Sequence, residues 1–347
     1  SSFLVYPKVY WILEMRCLMN GEPLVTCTTV FAVMLGLTIP AFGQSSSSSD
    51  ADWHPRYLAD GQPDIRGTWN NVGAAHIPLE LPEELSGSDV SAEEVQTYVQ
   101  RRSDSRKAVT WNGFETSGGV GAYANYWFDW FWKEPDAADA PALLISPSTG
   151  KMPSMTELAQ ASVEFHRADN HLHDSYQTME SGDRCLSRGT YGIMMPTAYN
   201  NGKMFFQSPG YVVILSEMIH NARIIPIDAG PHVNDKVRLW NGDPRGHWNG
   251  NTLIVESTNF RLVENQRGPG SRAPQTPQRH VVERFTLVNQ DTLRYELTVD
   301  DPDTYTQPWT VAFNFKQDDN YQQFEYACHE GNYAVPNSLS GARAQER

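Results

Sequence analysis

The sequence predicts a mainly β protein. The expected core is an antiparallel β-barrel of the calycin or lipocalin kind, wrapped by an N-terminal helix and loop region; a two-sheet β-sandwich is the alternative. Three observations carry this. From Phe205 onward, short strand-like runs follow one another at 204–207, 211–217, 222–227, 236–240, 245–248, 252–258, 280–288, 292–300, 308–316 and 322–328. No helical crossover separates them, so they pair antiparallel. About ten strands in one run leave exposed edges unless the sheet closes on itself.

Each element has a local reason. "QSSSSSDAD" is a flexible polar leader, assigned to 44–59. Residues 60–200 form the wrapping region. Within it, "DGQPDIRGTWNN" is a turn-rich segment that docks Trp69. "SAEE" at 91–94 is a capping box that starts a helix running to about Arg106. "ALLISPSTGKMPSMTELAQA" reads as strand, turn at Pro147–Gly150, and a helix capped by Ser154 with Glu157. The barrel is assigned to 201–335. "WNGNTLIVES" is a hairpin turning on Asn249-Gly250. In "HVVERFTLVNQDTLRYELTVDD", pairing Val288 with Thr292 sets Arg284 opposite Glu296 and His280 opposite Asp300. The same register sets Phe285 opposite Tyr295 and Leu287 opposite Leu293, so one face is apolar and the other carries complementary charges. Residues 336–347 read as a disordered tail.

The chain carries a net charge of −14, and residues 1–43 contribute none of it, since Lys8 and Arg16 balance Glu14 and Glu22. An acidic chain without a Lys/Arg cluster is a poor partner for nucleic acid or an anionic membrane surface. Arg16, the apolar run Leu24–Leu37 and the small residues of Ala41-Phe42-Gly43 read as an export signal over 1–43, with 1–14, upstream of Met15, untranslated. The apolar run is short for a membrane span, so none is expected after signal removal. Two cysteines remain beyond it, Cys185 and Cys328. In an exported chain they are expected to form a disulfide.

Candidate chemistry centres on "YVVILSEMIHNARIIPID", 211–228, where Glu217, His220 and Arg223 interrupt a strand-like run. The flanks make this a hairpin whose turn is either His220-Asn221 or His220 alone. Glu217, His220 and Arg223 would then be acid/base and anion-binding groups at a barrel mouth, or a surface ion pair with a polar turn residue. Glu283 alternates with Val281, Phe285 and Leu287 on the apolar face of its hairpin, and a carboxylate there needs a partner. His329 and Glu330, after Cys328, complete the catalytic candidates. Glu217, Arg223, Glu283 and His329 are expected to converge on one cavity inside the barrel. Trp309, Tyr326, Tyr199 and Arg245 are the ligand-binding candidates, although Asp243 and Arg245 could equally build a turn.

His171 and His173 with Asp169 and Asp174 have metal-ligand spacing, but no third ligand is marked, so no metal is expected. There is no G-x-S-x-G elbow, phosphate-binding loop, dinucleotide fingerprint or haem motif, so no cofactor is expected. Two functions fit: binding of a small organic ligand in an aromatic-lined cavity, or cofactor-independent acid/base catalysis as a lyase, isomerase or hydrolase.

The stretches "PDIRGTWNN", "LLISPSTGKMP", "DRCL", "YVVILSEMIHNARIIPID", "GDPRGHWNGNTLIVESTNF" and "YACHEGNY" resemble a family of uncharacterised exported bacterial proteins, frequent in acidobacteria and environmental sequence sets. The resemblance covers most of 60–333. It implies an exported bacterial protein and no particular activity.

Overall fold

A computed structural model describes residues 53–87, 90–117, 128–137, 140–167, 173–267 and 272–346. The expected export signal lies outside these residues.

Among the described residues there are twelve strands: β1 (Gly67–Asn70), β2 (Leu144–Ser146), β3 (Gly202–Ser208), β4 (Tyr211–Ser216), β5 (Asn221–Pro226), β6 (Asp243–Asn249), β7 (Thr252–Thr258), β8 (Val263–Arg267), β9 (Arg272–Gln275), β10 (His280–Asn289), β11 (Thr292–Asp300) and β12 (Trp309–Gln317). Nine run antiparallel in the order β5-β4-β3-β1-β12-β11-β10-β7-β6, and β2 pairs beside β12. The ends of the sheet meet. Ile227, just after β5, bridges Gly246 of β6, and the Asp228 N–H donates to the Gly246 carbonyl at 2.9 Å. Gly246 is needed there, because a Cβ would run into the side chains of Ile225 and Ile227. The result is a nearly closed barrel, so the sandwich alternative falls.

Side chains crossing the interior confirm the closure. Phe205 of β3 lies 5.6 Å from Phe285 of β10, and Phe285, Tyr295, Phe313 and Phe315 continue the aromatic cluster. Burial of each such ring contributes about 1.5–3 kcal/mol. Aromatic rings therefore fill this interior, where a ligand cavity was expected.

The β10–β11 hairpin has the expected register from His280↔Asp300 through Leu287↔Leu293, including Arg284↔Glu296. At the turn, Thr292 pairs with Asn289, not Val288, because a bulge takes up one residue. The β6–β7 turn is Gly250-Asn251, since Asn249 already pairs with Thr252.

The barrel also reaches outside its assigned range. β1 and β2 come from the region read as wrapping, and β1 fills the place between β3 and β12. A four-residue strand inside a turn-rich stretch has too little pattern to be legible. Trp69 is buried there and its indole N–H donates to the Ile65 carbonyl at 2.9 Å.

Two expected strands are absent. Residues 236–240 make only the single bridge Leu239↔Phe260, and 322–328 form no strand. In the second case a side chain takes a ladder donor: the Phe324 N–H donates to Glu217 Oε1 at 3.1 Å. β8 and β9 form a separate two-stranded sheet.

Among the described residues the α-helices are α1 (Ala92–Ser117), α2 (Asp129–Trp132), α3 (Glu157–Arg167), α4 (Gly189–Met194) and α5 (Ala334–Gln345). The capping box of α1 is in place, with the Ser91 N–H donating to Glu94 Oε2 at 2.8 Å and the Glu94 N–H to Ser91 Oγ at 3.2 Å. α3 is capped by Thr156 in place of Ser154, because Thr156 Oγ1 accepts from the Ala159 N–H at 3.1 Å. α5 occupies most of the expected disordered tail. The Arg343 guanidinium ties it to the carbonyls of His173 and Asp174.

Candidate functional site

The β4–β5 connection sets the geometry. Ser216 pairs with Asn221, so the turn is Glu217–His220, longer than either expected turn. Ile219 (φ 58°) and His220 (φ 40°) both adopt the left-handed region. For a β-branched residue this costs about 1–3 kcal/mol and persists only where surroundings impose it. Here Met218 and Ile219 are buried and Glu217 is anchored on both sides. The Glu217 N–H donates to the Gly202 carbonyl at 3.1 Å, and its carboxylate accepts from Tyr321 Oη and the Phe324 N–H.

Glu217 lines a broad cavity of about 1300 Å³, together with Asp129, Tyr199, Tyr321, Phe324, Tyr326, Cys185 and Cys328. Asp129 sits at the start of α2, where its Oδ2 accepts from the Asn201 N–H (3.1 Å) and amide (3.0 Å). Burial raises the Asp129 pKa despite those donors. Behind the carboxylates stands Lys203 of β3, 1% exposed, whose ammonium donates to the Asn201 carbonyl at 3.2 Å. Burial pushes it down to about 8, while Glu217 and Asp129 act to hold the proton. Tyr321 lies against Gly202, where any Cβ would overlap the ring. Burial, then the Asp129 charge, raises its pKa far above the ordinary phenol range.

A second cavity, of about 460 Å³, shares Tyr199 with the first. It is lined by Arg102 and Arg106 of α1, Arg188, Tyr191, Thr197 and an apolar wall of Ile77, Leu79 and Leu143. Among the described residues, no Asp or Glu lines it. Arg106 donates to the Ala75 carbonyl at 2.5 Å and stacks over Trp130. Burial, then the neighbouring Arg102 charge, pushes Arg106 down to about 10.

The expected convergence of four residues does not occur. Arg223 and Glu283 meet inside the barrel as a bidentate pair, one arm at 2.9 Å, with Tyr295 Oη donating to Glu283 at 2.8 Å. Their side chains are 3% and 0% exposed, so they are sealed from any solute. Glu217 lines the broad cavity instead. His220 is exposed, and its Nδ1 lies 2.8 Å from the Tyr326 carbonyl. His329 and Glu330 are exposed, with the His329 ring edge-on to His220 at 5.5 Å.

Of the ligand-binding candidates, Tyr199 and Tyr326 line the broad cavity. Trp309 does not: it is fully buried against Tyr191 and Tyr305. Arg245 lies within β6, held by Asp243 (2.6 Å) and the Pro244 carbonyl (2.8 Å), so it serves its own strand and lines neither cavity. Cys185 and Cys328 come together as expected, but as two free thiols rather than a disulfide. Of the His-x-His motif, His171 and Asp169 lie outside the described residues, and His173 lines the broad cavity.

Sequence reasoning missed Lys203, Asp129, Tyr321 and the three arginines. Lys203 had the same signal as Glu283, a charge two residues from an inward Phe205. Arg102 and Arg106 are spaced i, i+4 on one helix face. Asp129 and Tyr321 had no such signal, since loops bring them in.

No protein-family model, curated protein or solved structure matches this chain. Among the described residues, no helix is long and apolar enough to cross a membrane.

Proposed function

We propose that the protein binds a small organic anion, with its acidic group in the 460 Å³ cavity and its apolar body against Ile77, Leu79 and Leu143. The convergence of Arg102, Arg106 and Arg188 on one pocket without a lining carboxylate carries this reading. Arg102 and Arg106 repel one another there, and an anion removes that repulsion. Arg is suited to planar carboxylates through paired hydrogen bonds. The volume falls within the range of ordinary small-molecule pockets, about 300–1000 Å³.

Benzoate and succinate, each compared with its uncharged amide, are suitable probes in calorimetric titration. At least one acid is expected to bind and its amide not to, and Arg106→Ala is expected to weaken binding by about 10–100-fold, the value of hydrogen bonds to a charged group. Equal binding of acid and amide, or unchanged binding in the variant, would remove the proposal.

One observation favours a catalytic reading as well. Glu217, Asp129 and Tyr321 meet in the adjoining cavity, and burial already tilts Asp129 toward its protonated form. A carboxyl group with a raised pKa can act as a general acid. Export belongs to the proposal too, on the strength of residues 16–43. N-terminal sequencing of native material is expected to read from Gln44, and an N-terminus upstream of Leu24 would refute it.

A further inference from the structure

We propose that Cys185, Cys328 and His329 form a binding site for one zinc ion, with its fourth position open toward the broad cavity. The ligand atoms of these three residues lie within 4.8 Å of one another, and among the described residues no other such group occurs. A tetrahedral zinc, about 2.3 Å from sulfur and about 2.0–2.1 Å from nitrogen, sets its ligand atoms about 3.5–3.8 Å apart. The three groups therefore need only small side-chain rotations to close on an ion.

The surroundings favour a metal over a disulfide. A disulfide would join the two sulfurs and leave His329 without a role in the cluster. The Asn332 amide donates to Cys185 Sγ at 3.7 Å while also holding the Asp183 carbonyl at 2.9 Å. That amide fixes the position of the Cys185 sulfur, and groups of this kind behind metal ligands orient them and tune affinity. Cys185 itself is in the left-handed region (φ 55°), uncommon for a residue with a side chain. His220 adds a second imidazole beside His329. Two thiolates with one imidazole suit zinc or another thiophilic ion, not a hard cation such as magnesium. Three protein ligands with an open position is the arrangement that leaves zinc able to hold water or a ligand group. Cys185 and Cys328 line the broad cavity that Glu217 and Tyr321 also line.

Binding converts two thiols to thiolates, so two protons leave for each ion that enters, and affinity rises with pH. The proposal does not depend on the anion pocket, since it shares no residue with it.

The test uses the full chain, reduced and then freed of reductant, titrated with Co²⁺ as a spectroscopic substitute for zinc. The expected result is one Co²⁺ per chain with a near-ultraviolet thiolate-to-cobalt absorption, lost on adding one equivalent of Zn²⁺. Cys328→Ser is expected to abolish the absorption. His329→Ala, at an exposed position where folding is not at stake, is expected to weaken binding more than Asn332→Ala does, the latter by about 10–100-fold. Absence of the absorption in the folded, reduced chain would overturn the proposal. So would an absorption unchanged in His329→Ala, or a Cys185–Cys328 disulfide that resists reduction in the folded protein.

Discussion

Glu283→Gln is expected to lower the stability of the protein by about 3–5 kcal/mol, measured by urea unfolding at pH 7. The substitution keeps the shape of the side chain and removes only its charge. Arg223 then remains as an uncompensated cation inside a barrel packed with Phe205, Phe285 and Phe315. Its bidentate partner is gone, and the Tyr295 hydroxyl that served the carboxylate must adapt to a neutral amide. Raising the salt concentration should not rescue the variant, because the pair is sealed from counterions. The double variant Arg223→Met/Glu283→Leu is expected to recover most of the loss, since apolar residues of similar size often replace a buried pair without penalty. A loss below about 1 kcal/mol for Glu283→Gln would mean that Arg223 is solvated in the barrel.

The same pair shows what the sequence made legible. Glu283 stood out because its hairpin has a strict period of two, with Val281, Phe285 and Leu287 on the same side. That pattern required a polar partner, and Arg223 supplies it from β5, six places from β10 in the sheet order. The partner's identity was open to reasoning; its isolation from the cavity was not. Whether an inward charge lines a void or a packed interior depends on how the rings of the other strands fill the barrel. Phe205 and Phe285 settle that through a contact across the barrel.

Elsewhere the missing information was of two kinds. Short elements had too few residues to show a period, as with the four residues of β1. Loop segments had no period at all, and their places are set by single side chains. Glu217 holds the 321–324 segment through Tyr321 and Phe324, so a stretch read as strand becomes the wall of a cavity. The cysteines fell between these cases. Their partnership followed from their number, whereas their bonding state and the approach of His329 depend on where that loop returns.

Lys203→Met is expected to raise stability at pH 7 by about 1–3 kcal/mol, contrary to the usual outcome of a core substitution. The lysine is fully buried, and its pKa falls from the ordinary 10.5 to about 8 because burial disfavours the ammonium form. A base that holds its proton less tightly in the folded state than in the unfolded one destabilises the fold at low pH. Below about pH 8 both states carry the proton and the whole penalty, about 3 kcal/mol, is present. Between about pH 8 and 10.5 the folded protein releases its proton first, so stability attributable to this residue rises with pH. Methionine keeps an unbranched stem of similar size on the face that Phe205 shares and removes the charge. The gain falls short of the whole penalty because Asp129 loses a cation that lowers its pKa, and the Asn201 carbonyl loses its donor. Urea unfolding of parent and variant from pH 7 to 9.5 separates this lysine from the tyrosines, whose effects cancel in the difference. The advantage of Lys203→Met should be largest at pH 7 and shrink as pH rises. A variant less stable than its parent at pH 7, with no change across the range, would instead place the ammonium in a compensated network with the two carboxylates, and so make it part of the site it backs.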